Sequence, residues 1–493
     1  MGMICRTVVT TFGITIAVTG ILLKFYLIPK IVNEGIDASV KLEKGSEAYD
    51  RWENFPVPVK LKVYLFHVTN PEEVANGAKP NVTEVGPYVY DQNLKKRDIV
   101  KINDTLTYHR YYVLTFNAED SSPRREDDRI VIANLPLMSI ALTTEVVFPI
   151  GLKTLNRHID KLFDQPKLFL ETTPRQFLFD GITVNCSNSN IVCDRIKEHA
   201  TKQMKILDNK DINFSLINYK NNSHDGLFTI NSGETDVSLL GEVLRWNNSS
   251  KIDTWGSNGT CNDIYGTDST IFPPHQTRKS SIRTFQPDIC RSASLDYDSK
   301  VEYREIEGLR FVLGKQMLRS GKSSRENECF CIKKTKGIAD EDGCLFDGAM
   351  ELYNCHGAPI ILTFPHLLWA DERYAQTVDG LHPDPKKHQT FVDFEPNTGT
   401  LLQGSRRVQF NLIYRQIEKI DLTSNLKTTL MPVVWFDQGA VIREKQMKTL
   451  EDRLIFRLRT WGYISWSLIG LGVFIGTVGF ILCMVCLVKS RKS

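Results

Sequence analysis

Two uncharged apolar runs decide the architecture of this chain: TVVTTFGITIAVTGILL (Thr7 to Leu23) and YISWSLIGLGVFIGTVGFILCMVCLV (Tyr463 to Val488). The first run has 17 residues and continues past Lys24 to Ile28, and the second has 26. At about 1.5 Å per residue, each is long enough as a helix to cross a hydrocarbon layer roughly 30 Å thick. The sequence therefore predicts transmembrane helices at 7–28 and 463–488, with one large region between them at 29–462.

Basic residues flank both runs on the side of the chain ends. Arg6 precedes the first run, and three basic residues follow the second: Lys489, Arg491 and Lys492. Because basic flanks stay in the cytosol, the tails 1–6 and 489–493 are predicted to be cytosolic and the bulk of the chain extracellular, in a two-pass protein of the plasma membrane. The alternative for the first run is a cleaved signal peptide, although no small-residue cleavage site is evident after it.

The second run contains a GxxxG pair, Gly472 and Gly476. Small residues at this spacing let another helix approach closely, so a homo-oligomer of the chain is one interpretation. Such pairs also occur in membrane spans that form no dimer.

The region between the spans reads as one continuous domain, because it contains no Pro/Gly/Ser linker and no internal repeat. The net charge is +3, with both signs interspersed. Nucleic-acid binding needs a concentrated basic stripe, so we expect no nucleic-acid partner.

Eleven cysteines divide by compartment under this topology. Three lie at the cytosolic membrane face, where they are either palmitoylated or inert thiols: Cys5, Cys483 and Cys486. The other eight lie in the oxidising compartment and predict disulfides: Cys186, Cys193, Cys261, Cys290, Cys329, Cys331, Cys344 and Cys355. The alternative is a zinc site built from the last four of them. CxC is a poorer chelating spacing than CxxC, so we expect no metal.

Sequons for N-glycosylation test the topology independently. They all lie in the predicted extracellular region, at Asn81, Asn103, Asn185, Asn213, Asn221, Asn247, Asn248 and Asn258. Their common sidedness supports an extracellular domain, and the adjacent Asn247 and Asn248 are expected to carry one glycan between them.

Strand patterns dominate the large domain. Three segments alternate or cluster β-branched and aromatic residues between turn residues: KLKVYLFHV from Lys60, LTYHRYYVLTF from Leu106 and RRVQFNLIYRQI from Arg406. These patterns predict an antiparallel, barrel-like sheet. A helical stretch from about Ile442 to Thr460 leads into the last span.

One stretch, Leu135 to Leu178, is rich in helix formers. Within it an apolar stripe recurs at helical spacing: Leu152, Leu155, Ile159, Leu162 and Phe163. Lys153, Arg157 and Lys161 follow one another at intervals of four on the opposite side. A cationic row above an apolar face suits an amphiphile with an acidic head, and the alternative is the solvated outer face of a core helix.

We find no convincing catalytic constellation. The chain has no GxSxG elbow and no HExxH pair. GKSS at Gly321 lacks the first glycine of a phosphate loop, and DEDG at Asp340 lacks the outer ligands of a calcium loop. The sequence therefore predicts a protein that is not an enzyme and that needs no cofactor.

Several strings together resemble the class B scavenger receptor family. They are YLFHVTNPEEV at Tyr64, EVGPYVY at Glu84, CNDIYGTDSTIFPP at Cys261, DICRS at Asp288, CFC at Cys329, GAPIILTFPH at Gly357 and DFEPNTGT at Asp393. That family includes the fatty acid translocase and the high-density lipoprotein receptor. Within it the chain is similar to the insect sensory neuron membrane proteins, on KGSE at Lys44 and on FLFDGITVNC, ending at Cys186, with IVC, ending at Cys193.

The resemblance implies an α+β membrane protein, in which a large antiparallel β-barrel ectodomain with an internal tunnel carries an apical helical bundle at 135–178. It also implies disulfides Cys261–Cys329, Cys290–Cys355 and Cys331–Cys344 in the segment 261–355, with Cys186–Cys193 as a fourth. IDK at Ile159 is similar to a ligand-contacting stretch of the fatty acid translocase. We therefore expect ligand contacts at Lys153, Arg157, Lys161 and Phe163.

Two functions follow as hypotheses. The first is a non-enzymatic receptor or transfer protein that captures fatty acids or pheromones derived from them and passes them through the tunnel to the membrane or to a neighbouring odorant receptor channel. The alternative is an adhesion, scavenger or trafficking receptor that binds a protein or lipoprotein at the apical helices. Lipid-carrier and odorant-binding proteins are candidate partners in either case.

Overall fold

The computed structural model describes residues 2–55, 57–188, 191–256, 259–339 and 343–490. Within these ranges the α-helices are α1 (Gly2–Leu22), α2 (Ile28–Val40), α3 (Glu47–Glu53), α4 (Pro71–Ala75), α5 (Ala118–Ser121), α6 (Leu135–Val147), α7 (Leu152–Leu162), α8 (Ile191–Glu198), α9 (Tyr353–His356), α10 (Glu372–Ala375), α11 (Pro385–His388), α12 (Glu444–Leu450) and α13 (Phe456–Ser490).

The strands in the same ranges are β1 (Val59–Val68), β2 (Val82–Ile102), β3 (Thr105–Phe116), β4 (Ile130–Ala133), β5 (Phe169–Thr172), β6 (Ile182–Val184), β7 (Met204–Ile206), β8 (Ile212–Phe214), β9 (Ser223–Asn231), β10 (Val243–Trp246), β11 (Ser281–Gln286), β12 (Arg291–Tyr303), β13 (Ile306–Leu313), β14 (Ala349–Glu351), β15 (Ile360–Thr363), β16 (Phe391–Glu395), β17 (Thr400–Tyr414) and β18 (Thr429–Val441). The three strand segments predicted from sequence correspond to β1, β3 and β17.

Two long apolar helices lie at the ends of the chain, Thr7–Val40 and Glu444–Val485. Each satisfies its backbone hydrogen bonds internally, as a hydrocarbon layer requires, and each presents exposed apolar side chains such as Phe12 and Phe474. The second helix includes α12 and most of α13, so the predicted helical lead into the last span is confirmed.

The two spans pack against each other through glycines. A Cβ on Gly13 would lie 2.3 Å from the backbone nitrogen of Gly476, and one on Gly472 would lie 2.3 Å from that of Ala17. Only glycine permits this separation, because any side chain would overlap the facing backbone. The GxxxG pair therefore serves contact between the two spans of one chain.

The large sheet is antiparallel, in the order β10-β9-β3-β2-β1-β18-β17-β16-β13-β12-β11, with β15 and β14 added beside β17. Its first and last strands in the chain are neighbours, and Val59 at the start of β1 pairs with Ala440 at the end of β18. This pairing places the exits of the chain toward both spans at one end of the sheet.

A single extended segment joins the two edges of the sheet. Thr267 forms bridges with Glu242 beside β10 and with Thr284 of β11. The Thr267 N–H donates to the Arg283 carbonyl at 2.9 Å, and the Gly266 carbonyl accepts from Val243 at 2.8 Å. The sheet is thus nearly closed, and the predicted barrel is confirmed.

Helices α6 and α7 cover the end of the barrel that lies away from the spans. Leu155 and Ile159 of α7 are buried against the interior. The helical segment expected over 135–178 is helical only in part, because β5 at Phe169–Thr172 pairs with β4 instead. The β-branched and aromatic residues of β4 and β5 fit a small sheet packed beneath the helices.

Four disulfides reinforce the domain. The pairs are Cys186–Cys193, Cys261–Cys329, Cys290–Cys355 and Cys331–Cys344. They are the pairs that the family resemblance implies, so the cysteines proposed as alternative zinc ligands are bonded to one another or to other cysteines.

Candidate functional site

A cavity of about 720 Å³ lies inside the barrel. Its apolar wall comes from side chains that point inward from many strands, among them Leu61, Leu94, Leu295, Val408, Phe410 and Phe436. Side chains alternate between the two faces of a strand, so the inward residues line the cavity while their neighbours face outward. The volume falls within the range of small-molecule binding sites, which are mostly apolar with a few polar groups.

A charged cluster in the cavity wall is electrically balanced. Arg110 forms an ion pair with Asp225, whose carboxylate also accepts from Tyr112 at 2.9 Å. Arg110 also donates to the backbone carbonyl of Asp268, and the Asp268 carboxylate accepts from Tyr108 at 2.6 Å.

Lys96 belongs to the same buried cluster. Its Nζ donates to the Trp52 carbonyl at 2.6 Å and lies over the Trp52 and Tyr108 rings. Burial lowers the pKa of Lys96 to about 8, so the ammonium remains mostly charged at pH 7. Two cations therefore face two carboxylates, and we interpret this cluster as structural.

A second charged cluster lines the same cavity and contains Lys220, Asp288 and Arg406. The Asp288 carboxylate lies 2.5 Å from Lys220 Nζ and 3.1 Å from Arg406 Nη2. Burial opposes ionisation of Asp288, but the two cations outweigh burial and hold its pKa well below the usual range. Here two cations share one carboxylate.

The predicted cationic row lies on the outer face of α7. Lys153, Arg157 and Lys161 are exposed, and none of them has an ion-pair partner in the part of the chain that the structure describes. Phe163, expected as a ligand contact, is only 4% exposed and packs in the core below the helix. It belongs to the apolar stripe, so it does not share the surface that the three cations form.

Two apolar residues near the cationic row are exposed, and the sequence patterns did not predict this. Ile150 is 84% exposed at the turn before α7, and Phe148 is 40% exposed, with its ring against Gly151. Ile150 is out of helical phase with Leu152 and Leu155, and that offset is the signal that could have revealed it. Together the cations and these apolar groups form an amphiphilic surface at the apex.

Three side chains outside the cavity lining have the composition of a metal site: Glu84, His366 and His388. Nδ1 of His366 accepts from the His382 N–H at 3.0 Å, and Nδ1 of His388 accepts from the Asp384 N–H at 2.9 Å. Each neutral ring must then carry its proton on Nε2, the atom that would have to bind the metal. His366 instead donates Nε2–H to Glu84 at 2.6 Å. We therefore interpret the cluster as a hydrogen-bonded support for the loop that carries the two histidines.

The positions of the predicted glycosylation sites differ in accessibility. Asn81, Asn103, Asn247 and Asn248 are exposed, while Asn185, Asn213 and Asn221 are half-buried. The amide of Asn213 donates to the Asp180 carbonyl at 2.7 Å, and that of Asn185 donates to Asp164 at 2.8 Å. Asn258 lies outside the described residues, and so do the side chains of Cys5 and Cys486.

Comparison with known proteins decides the family. The sequence pattern of the CD36 family matches residues 11–483. The chain belongs to the CD36 family. Its two spans, barrel and four disulfides are thus the architecture of a two-pass CD36-family membrane protein.

Relatives of this CD36-family protein include insect sensory neuron membrane proteins. Sensory neuron membrane protein 2 of Anopheles gambiae is 34% identical, over 96% of this chain and 92% of the relative. Sensory neuron membrane protein 2 of Drosophila melanogaster is 31% identical, over 94% and 95%. Sensory neuron membrane protein 1 of Apis mellifera is 34% identical, over 91% and 85%.

Proposed function

We propose that this protein is a non-enzymatic receptor and transfer protein for long-chain hydrophobic ligands, namely fatty acids or pheromones derived from them. The observation that carries the proposal is the largely apolar cavity of about 720 Å³ inside a barrel tethered to the membrane at both ends. The ligand enters the cavity and leaves it toward the bilayer or toward a neighbouring odorant receptor. Family membership supports the coarser statement of a receptor or lipid role in a membrane.

The energetic reason is desolvation of the acyl chain. Each buried CH₂ group contributes roughly 0.8 kcal/mol, so a long chain gains from moving through an apolar passage instead of water. No covalent bond has to change during this transfer.

Capture begins at the apex in this proposal. Lys153, Arg157 and Lys161 attract an acidic head group, and the exposed Ile150 and Phe148 contact the apolar part of the ligand. Exposed charges act mainly on the rate of encounter and on specificity, and salt screens them.

We further propose that the protein lies in the plasma membrane with both tails cytosolic. In that orientation the exposed sequons Asn81, Asn103 and Asn247 or Asn248 receive glycans. Treatment of the cell-expressed protein with a peptide N-glycosidase should lower its mass, and protease added to intact cells should cleave the barrel domain. A protein of unchanged mass that resists protease outside the cell would overturn the orientation.

Filling the cavity tests the transfer function. Ala440 lines the cavity at the end near the spans, whereas its neighbour Val441 is 52% exposed and lies outside the cavity lining. Ala440→Trp should reduce transfer of a fluorescent fatty acid into vesicles that contain the full chain by about tenfold, equivalent to ~1.4 kcal/mol. Val441→Trp is the matched control and should transfer normally. Unchanged transfer by the Ala440 variant would contradict the proposal that the ligand passes through the barrel.

A second candidate function is a receptor that holds a protein, such as a lipid carrier or an odorant-binding protein, at the apex. The 84% exposure of Ile150 favours it, because exposed apolar side chains beside polar ones also mark surfaces that bind proteins. Ile150→Asp should then abolish capture of a purified carrier while lipid transfer continues. Ile102→Asp, at a 64% exposed position on the hairpin between β2 and β3, is the control.

A further inference from the structure

The two charged clusters of the cavity wall differ in charge balance. In the cluster of Arg110 and Lys96, two carboxylates offset two cations. In the cluster of Lys220, Asp288 and Arg406, two cations share a single carboxylate. The second cluster therefore carries one excess positive charge inside a mostly apolar cavity.

The cations of the second cluster also have unused hydrogen-bond donors. The hydrogen bonds of the Arg406 side chain go to Asp288 and Gln286, and Lys220 pairs with Asp288. A guanidinium has five N–H donors and an ammonium has three. Among the described residues, neither cation forms an ion pair with any second carboxylate.

The other titratable groups around this cluster do not neutralise it. His356 donates Nε2–H to the Asp288 carbonyl at 2.8 Å, and burial lowers the pKa of His356, so the ring is neutral at pH 7. Burial raises the pKa of Tyr219, so its phenol is also neutral. Lys202, which is exposed and lines the same cavity, adds a further positive charge.

We propose that Lys220 and Arg406 bind the carboxylate head of a long-chain acid inside the cavity, with the acyl chain along the apolar wall. This inference rests on the proposed function and adds the chemistry of the head group and its position. A carboxylate accepts several hydrogen bonds at once and fits the planar fork of a guanidinium. A carboxylate moved out of water needs such partners, because burial without them is costly.

Asp288 prepares the site by holding both cations in place. The side chains of Lys220, Asp288 and Arg406 are 24–32% exposed, and that exposed surface belongs to the cavity wall. An incoming carboxylate adds a second negative charge beside Asp288, so that two carboxylates offset the two cations. Ligands with an ester, a hydrocarbon end or any other uncharged head lack this gain, so the site selects acids over their esters.

Binding of matched ligands tests the proposal. The full chain in lipid nanodiscs is titrated with radiolabelled oleic acid and with methyl oleate, and empty nanodiscs supply the background. The wild type should bind the acid about tenfold more tightly than the ester, a difference of ~1.4 kcal/mol. Lys220→Gln and Arg406→Gln should each remove most of this preference by weakening acid binding alone. Lys205→Gln, at an exposed lysine outside the cavity lining, should leave both affinities unchanged.

The Asp288→Asn variant should change acid affinity in the opposite direction. The Asn oxygen can still accept hydrogen bonds from Lys220 and Arg406 and hold them in place, but the negative charge that competes with the ligand is removed, so acid affinity should rise several-fold while ester affinity stays constant. This variant remains informative if the lysine or arginine variants fail to fold. Unchanged or weaker binding of the acid by Asp288→Asn would mean that the cluster only ties the chain together.

The outcomes separate this inference from the proposed function. A wild type that binds neither ligand would overturn both. A wild type that binds both ligands, with Lys220 and Arg406 variants that lose acid and ester equally, would overturn only the head-group site.

Discussion

Gly13 of the first span and Gly476 of the last lie in direct backbone contact, with only 2.3 Å between a Cβ built on Gly13 and the Gly476 nitrogen. This contact joins segments that are more than 450 residues apart in the sequence. It fixes the spacing of the two membrane anchors beneath the barrel, where β1 and β18 also lie side by side. The contact between the spans and the pairing of β1 with β18 therefore both bring the two ends of the domain together.

A bulky residue at the span interface should destabilise the protein. Gly472→Leu introduces a side chain where a Cβ would already lie 2.3 Å from the Ala17 nitrogen. Overpacking of this kind costs about 1–3 kcal/mol, and we expect a lower midpoint in thermal unfolding of the full chain in detergent. Gly470→Leu is the matched control, because a Cβ at Gly470 meets nothing within 4 Å. Equal midpoints for the two variants would refute the contact.

Closure of the barrel should depend on Gly266. Its φ is +84°, and a Cβ there would lie 2.2 Å from the backbone carbon of Arg283. Gly266→Ala should therefore cost at least about 2 kcal/mol of unfolding free energy, from backbone strain and from separation of the segment that joins the sheet edges. Gly314→Ala, where a Cβ has open space, should be nearly neutral. Thermal unfolding of both variants checks this, and a Gly266 variant as stable as the control contradicts it.

Removing the cationic row at the apex should weaken the capture of acids selectively. The triple variant Lys153→Ala, Arg157→Ala, Lys161→Ala should slow association of oleic acid by up to about tenfold at low salt and less at high salt. Association of methyl oleate should not change. The pair Arg278→Ala, Lys279→Ala removes exposed charges elsewhere and serves as the control. Stopped-flow association at two salt concentrations measures the effect, and a loss that is the same at both would argue against electrostatic capture.

Stability should fall on acidification because of His388. Burial and the neighbouring His366 lower the pKa of His388 to about 4, against about 6.5 when unfolded. Between these values the unfolded chain binds more protons than the folded one, so the free energy of unfolding decreases as the pH falls from 7 to 5, by about 2 kcal/mol. Glu84, Asp384 and Arg407 are the other charged groups beside the ring.

His388→Asn should flatten that part of the pH profile. The Asn oxygen can replace Nδ1 as acceptor for the Asp384 N–H, so the loop keeps its hydrogen bond. Chemical denaturation at pH 7 and pH 5 measures the difference for both proteins. A wild-type profile that matches the variant would show that His388 does not carry the pH dependence.

Sequence patterns predicted the structural elements that depend on residues close together in the chain. Periodicity in the segments from Lys60, Leu106 and Arg406 predicted β1, β3 and β17, because alternation along a strand is independent of its partners. The helical pattern correctly gave α7, yet it extended too far, into β5. β5 has only four residues, which is too short for a recognisable alternation of apolar and polar residues. Its strand conformation depends on pairing with β4.

The candidate site was predicted only in part, and the reason is the distance between its members along the chain. The row of Lys153, Arg157 and Lys161 repeats within one helix, so the sequence alone could place it on one face. Lys220, Asp288 and Arg406 have no common local pattern, since Asp288 and Arg406 are 118 residues apart. Phe163 is predicted as a ligand contact, but it lies in the core, in agreement with its place in the apolar stripe.

The two membrane spans, the barrel strands and the amphipathic helix of the apex are predictable from the amino-acid order, because hydrophobicity and its period act over neighbouring residues. Which glycines meet in the membrane, how the barrel closes at Thr267 and which charges face one another in the cavity depend instead on how the chain folds. Those contacts join residues that the chain keeps far apart, and their energies depend on the burial and the distances that the folded backbone imposes.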